Sequence, residues 1–168
     1  MAAREAGAVG EQRTAVLLQS LELEGWAVLH DRALPGASKA NADHILVSPA
    51  GLVFLVESKL WSSRWPVHGA GGELWHGTHS RHRSVRSVLF ERDLMVRALG
   101  VEVTALVAVH QAPVHGGARG FVVDGVRVLP AGSLVAVLRA LDGRPAPAAA
   151  AALAARAEGV FPRYVDER

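Results

Sequence analysis

Cysteine is absent from the 168 residues, which excludes disulfides and cysteine-based zinc sites. Lysine is nearly absent: Lys39 and Lys59 stand in an otherwise all-arginine basic set. No uncharged apolar run reaches the roughly 18 residues that a membrane-spanning helix needs, so no membrane association is expected. Residues 1–10 carry Arg4 and Glu5 with no apolar stretch behind them, so no signal peptide is expected and the chain reads as cytoplasmic. Neither charge dominates. Eighteen Lys and Arg against 16 Asp and Glu leave a formal charge of +2, which argues against strong non-specific binding to nucleic acid. The richness in Arg and Ala has its simplest source in a GC-rich genome, with selection for nucleic-acid binding as the alternative. What is present is a core: half the residues are hydrophobic, enough for one domain at this length.

Periodicity sets the outline. Residues 9–24 read as a helix with Leu17, Leu18 and Leu21 in one sector, stopped by Gly25. Residues 26–30 read as a short strand and 31–41 as a loop. Residues 42–48 and 52–58 read as two strands around Ser48-Pro49-Ala50-Gly51. The Gly- and Trp-rich stretch 61–77 suits two short strands, near 65–68 and 73–76. Residues 82–99 have helical spacing ended by Gly100, and 101–110 form a β-branched strand. Two further strands, 121–123 and 126–129, flank the tight turn Asp124-Gly125. A helix over 133–141 follows. The expected division is a main domain over 1–143 and a Pro/Ala-rich linker with a short C-terminal helix over 144–168. Central strands without polar alternation imply an α/β fold, a mixed sheet covered by helices on both faces.

The chemistry gathers where one of those strands ends. Leu52-Val53-Phe54-Leu55-Val56 is apolar throughout, then come Glu57 and Lys59. Charges on a buried strand need partners. Pro49 suits the first central position of a type I turn, and Gly51 a left-handed residue after it. That predicts a three-residue hairpin loop with a G1-type bulge, which pairs Ser48 with Leu52 and sets Asp43 opposite Glu57. Lys59, two residues on, points to the same face. A slip of one residue would put Asp43 on the other face. Glu11 lies within the apolar sector of the first helix and also needs a partner. Asp43 and Glu57 suit a hard cation, Mg²⁺ or Mn²⁺, with the backbone carbonyl of Ser58 as a further ligand. Lys59 suits the positioning of a water or the stabilisation of developing charge.

Gly10-Glu11 at the start of a helix, Ala42-Asp43-His44-Ile45-Leu46-Val47, and Gly51 through Glu57-Ser58-Lys59-Leu60-Trp61 resemble the nuclease-related domain, NERD, of the PD-(D/E)xK nuclease-like superfamily. The resemblance runs over about residues 9–99. It implies a restriction-endonuclease-like α/β/α core and processing of DNA with a divalent metal. It also implies that Asp43, Glu57 and Lys59 form the catalytic centre, with Glu11 as the helix acid. The chain departs from the family pattern around residues 83–88, where Ser and Arg stand in place of a frequent Gln.

Other features carry weaker expectations. His68, His76, His79 and His82 match no metal-ligand spacing and read as loop histidines. The basic run that includes Arg81, Arg83 and Arg86 enters a helix N-terminus. It suits contact with phosphates or a solvated face equally. Trp61, Trp65 and Trp75 read as a cover for the sheet edge, with base stacking as the alternative. His44 should point away from Asp43 and reads as structural. The function expected is metal-dependent hydrolysis of DNA phosphodiesters. Its rival is a non-catalytic nucleic-acid-binding or regulatory module that retains the fold.

Overall fold

The computed structural model describes residues 2–165. Helix α1 spans Ala3–Leu23 and begins earlier than its apolar stripe suggests. The added turns are Ala-rich, which favours helix without needing a buried face. Glu5 also reaches back to accept the Ala2 N–H at 3.2 Å. Three antiparallel strands follow: β1 Ala27–Ala33, β2 Asn41–Val47 and β3 Val53–Trp61. β1 runs past the expected end at residue 30. Its Arg32 is buried and bonded to Glu158 at 3.1 Å and to the Phe161 carbonyl at 3.0 Å, a tertiary anchor with no local signature. The expected turn geometry is present, with Gly51 at φ 83° and Gly51 N–H bonded to the Ser48 carbonyl at 2.8 Å.

A small antiparallel sheet comes next, of β4 Val67–Ala70, β5 Glu73–His76 and β6 His79–Ser80. The two-residue β6 is too short to leave a periodic signal. Helix α2, His82–Leu99, has the expected bounds and ends on Gly100 in the left-handed region at φ 70°. Strand β7, Val103–Gln111, returns parallel to β3. The hairpin of β8 Phe121–Val123 and β9 Val126–Pro130 turns through Asp124 and Gly125, both at positive φ, as a two-residue loop of type I′ requires. Helices α3 Leu134–Leu141 and α4 Pro147–Val160 complete the chain.

The main sheet has the order β1-β2-β3-β7-β9-β8. One face packs on α1 and α3 through Leu18, Leu21, Leu46, Phe54, Val56, Leu134 and Leu138. The other packs on α2 and α4 through Ile45, Leu55, Val88, Met95, Val107, Ala157 and Phe161. This is the restriction-endonuclease-like α/β/α arrangement, with a mixed central sheet. Among the described residues, no helix is long and apolar enough to cross a membrane.

Candidate active site

The sheet forks where the charges lie. β2 stays paired with β1 as far as Asn41, and β3 stays paired with β7 as far as Trp61. The ladder between β2 and β3, however, ends at His44–Val56. The next positions in that register are Asp43 and Glu57. They share a face with Ile45 and Leu55, and so does Lys59. The Asp43 carboxylate accepts the Ser58 N–H at 2.9 Å, which satisfies a backbone donor that the ladder leaves open. The N–H and C=O of one strand residue point to the same edge, so the Ser58 carbonyl also faces the fork. Lys59 Nζ lies 3.4 Å from Glu57 Oε1. The other oxygen, Glu57 Oε2, is buried and has no hydrogen-bond partner.

α1 passes the end of β3 at close range. A Cβ on Gly10 would meet the Cβ of Leu60 at 3.5 Å. That contact brings Glu11 within hydrogen-bonding reach of Asp43. Burial, then the charge of Asp43, pushes the Glu11 carboxyl up to about 8. Burial also raises Asp43, against the Ser58 N–H and the bond from Glu11. Burial raises Glu57 to about 7 despite the opposing Lys59. Glu11 therefore holds the proton that it shares with Asp43, and the cluster has more carboxylate than its one lysine can neutralise.

A cleft of about 450 Å³ opens over these groups, lined by Glu11, Asp43, Glu57 and Lys59 together with Trp61, His76 and Arg81. The Arg81 guanidinium lies 5.7 Å from the Trp61 ring centre, and Trp61 stacks on His76 at 5.7 Å. Of the three arginines in the basic run, Arg81 lines the cleft, whereas Arg83 and Arg86 are exposed along α2. The four histidines expected in loops lie on regular elements instead: His68 in β4 meets the Gly77 carbonyl, His76 in β5 the Ser62 carbonyl, His79 in β6 is exposed, and His82 opens α2 and meets Asp124 at 3.0 Å. His44 lies on the opposite face, buried and held neutral by a pKa lowered to about 3.

One charged residue has no counterpart in the sequence reading. Burial, then the charges of Glu57 and Asp43, pushes Glu91 of α2 up to about 9. Its signal was of the same kind as that of Glu11. It lies on a helix face between the buried Val88 and Met95.

Among the described residues, no three His, Cys, Asp or Glu side chains converge into a ready-made metal cage. Mg²⁺ does not need one, since it binds through one or two protein carboxylates and keeps several waters. The donor set fits that pattern: two carboxylates at the fork, one with a buried oxygen lacking a partner, beside a free-facing carbonyl.

No curated protein and no solved structure matches the chain. A family model, that of the nuclease-related domain, matches residues 6–112. The match covers more than half the sequence, from the first turns of α1 through the fork and α2 to the end of β7, and the chain belongs to the NERD (nuclease-related domain) family.

Proposed function

We propose that the protein is a divalent-metal-dependent nuclease that hydrolyses phosphodiester bonds in DNA. The observation that carries this reading is the fork, where Asp43, Glu57 and Lys59 meet on one face under an open cleft. Asp43, Glu57 and the Ser58 carbonyl would hold Mg²⁺ or Mn²⁺. When bound, the cation neutralises charge on the phosphate and acidifies a water. Lys59 donates to the attacking water and to the charge that grows on the phosphate. Glu11 carries a proton at neutral pH and spends it on Asp43, which limits repulsion before the cation arrives. Arg81, which has no acidic partner among the described residues, anchors a neighbouring phosphate while Trp61 supports its guanidinium. Water adds to phosphorus, one ester P–O bond breaks, and the leaving oxygen takes up a proton.

The test incubates the purified protein with plasmid, linear duplex and single-stranded DNA in Mg²⁺, in Mn²⁺ or in EDTA. Cleavage of at least one substrate is expected with a metal and none in EDTA. Binding of DNA without cleavage in either metal would replace this reading with that of a non-catalytic module.

A further inference from the structure

Behind the fork, on the face away from the cleft, five side chains form one hydrogen-bonded chain. His30 Nδ1 lies 2.8 Å from His44 Nδ1, and His44 Nε2 lies 2.9 Å from Ser58 Oγ. The Ser58 hydroxyl donates to Thr14 Oγ1 at 2.6 Å, and Thr14 Oγ1 lies 2.7 Å from His110 Nε2. The Thr14 hydroxyl donates to the Gly10 carbonyl at 3.1 Å. Thr14, His44, Ser58 and His110 are all buried.

The two hydroxyl bonds, Thr14 to Gly10 and Ser58 to Thr14, set the direction of the rest. The single Thr14 proton goes to Gly10, so Thr14 accepts from both Ser58 and His110. Ser58 spends its proton on Thr14, so His44 donates to Ser58 through Nε2–H. A neutral His44 then accepts at Nδ1 from His30. Every buried polar group in the chain is satisfied, and each link depends on the next.

The members sit next to the acid-bearing positions. His44 follows Asp43. Ser58 lies between Glu57 and Lys59. Thr14 is one turn beyond Glu11 and holds the carbonyl that precedes it. The chain thus ties β2, β3, β7 and α1 together behind the site. From the middle of α1, Thr14 bonds side chains of both β3 and β7.

We propose that this buried hydroxyl–imidazole chain is a positioning device for the carboxylate site, with Thr14 as its junction. It sets the mutual placement of Glu11, Asp43, Glu57 and Lys59 from the opposite face. The proposal rests on the nuclease reading for its catalytic readout, though not for its structural one.

The experiment compares wild type with Thr14→Val, which keeps the shape and removes the hydroxyl, and with Thr14→Ser, which keeps the hydroxyl. Cleavage kinetics, Mn²⁺ affinity by calorimetry and thermal midpoint are measured for each. Thr14→Val should lose about 10- to 100-fold in kcat and in Mn²⁺ affinity with KM little changed, as supporting partners of metal ligands do, and Thr14→Ser should recover most of it. A folded Thr14→Val with wild-type kcat and Mn²⁺ affinity overturns the proposal. So does a folded Thr14→Ser as impaired as Thr14→Val, since packing of the methyl group would then be the cause. If Thr14→Val does not fold, Ser58→Ala removes the link between β3 and α1 and carries the same expectation and the same contradiction. A wild type inert in every metal counts against the nuclease reading alone. The positioning role is then read from the backbone amide shifts of Asp43, Glu57 and Lys59. Thr14→Val should move them and Thr14→Ser should not; unmoved shifts overturn it.

Discussion

Lys59 carries its charge at the mouth of a strand whose preceding side chains, Val53 to Val56, are buried. Its partner Glu57 is only partly neutralised, and Arg81 supplies the second cation of the cleft. In the proposed reaction the two would do different work. A compact ammonium on a short reach suits the reacting centre, whereas a planar guanidinium on Trp61 suits a phosphate further along. Arg81→Ala should weaken DNA binding about tenfold and lower the salt slope of binding by about 1, measured by titration at several salt concentrations. Arg83→Ala and Arg86→Ala should stay near wild type, because both side chains are exposed along α2 away from the cleft. The clustering of these candidate residues was legible in the sequence for definite reasons. Turn chemistry at Pro49 and Gly51 fixed the register in which Asp43 and Glu57 are the next positions beyond the ladder, and strand parity put Lys59 with them. Glu11 showed itself as a carboxylate in an apolar stripe. Glu91 carries the same mark, but it lies beyond residues 83–88, where the family's Gln is expected.

Among the elements, α1 matters most to the site, because its approach to β3 sets where Glu11 stands. Gly10 permits that approach. A methyl group there would meet Leu60 at ordinary contact distance, 3.5 Å, and anything larger would push the helix away. Gly10→Ala should therefore keep activity and gain about 0.5–1 kcal/mol in stability from helix propensity. Gly10→Leu should cost roughly 100-fold in cleavage, the scale of a displacement of about 1 Å at a reacting centre. Thermal melts and single-turnover rates on the two variants separate these outcomes, and an active Gly10→Leu would refute the close-approach argument. Element boundaries were readable where a local signal exists. α2 has both an apolar stripe and the left-handed Gly100. The start of α1 has neither, β6 is too brief to be periodic, and the end of β1 is set by Arg32 reaching Glu158 and Phe161, far along the chain.

The whole molecule buries carboxyl groups that hold their protons in its folded state, and that has a pH signature. Glu11, Glu57 and Glu91, raised from 4.5 to about 8, 7 and 9, keep protons that the unfolded chain has already released. Stability is therefore lost to these groups as pH rises from about 4.5, the unfolded value, to about 9, the highest folded one. Below about pH 6.5 His44, held down to about 3, and the lowered His30 and His110 oppose that fall, because they resist a protonation that the unfolded chain accepts, so the fall is clearest between about pH 7 and 9. Millimolar Mg²⁺ should raise the thermal midpoint more at pH 9 than at pH 6, since it binds the ionised carboxylates. A midpoint that is flat or rising between pH 7 and 9 without metal would contradict this. In the C-terminal segment, expected as a linker and short helix, Ala157 and Phe161 are fully buried against the sheet. Phe161→Ala should cost about 3–5 kcal/mol in chemical denaturation. The central proposal is that the fork between β2 and β3 cuts DNA with a divalent metal. The measurement that tests it most directly is the single-turnover cleavage rate in saturating Mg²⁺ of wild type beside Lys59→Ala, both shown to be folded by the same melt. The account predicts cleavage by wild type and a loss of at least about 100-fold in the variant; equal rates in the two proteins would contradict it.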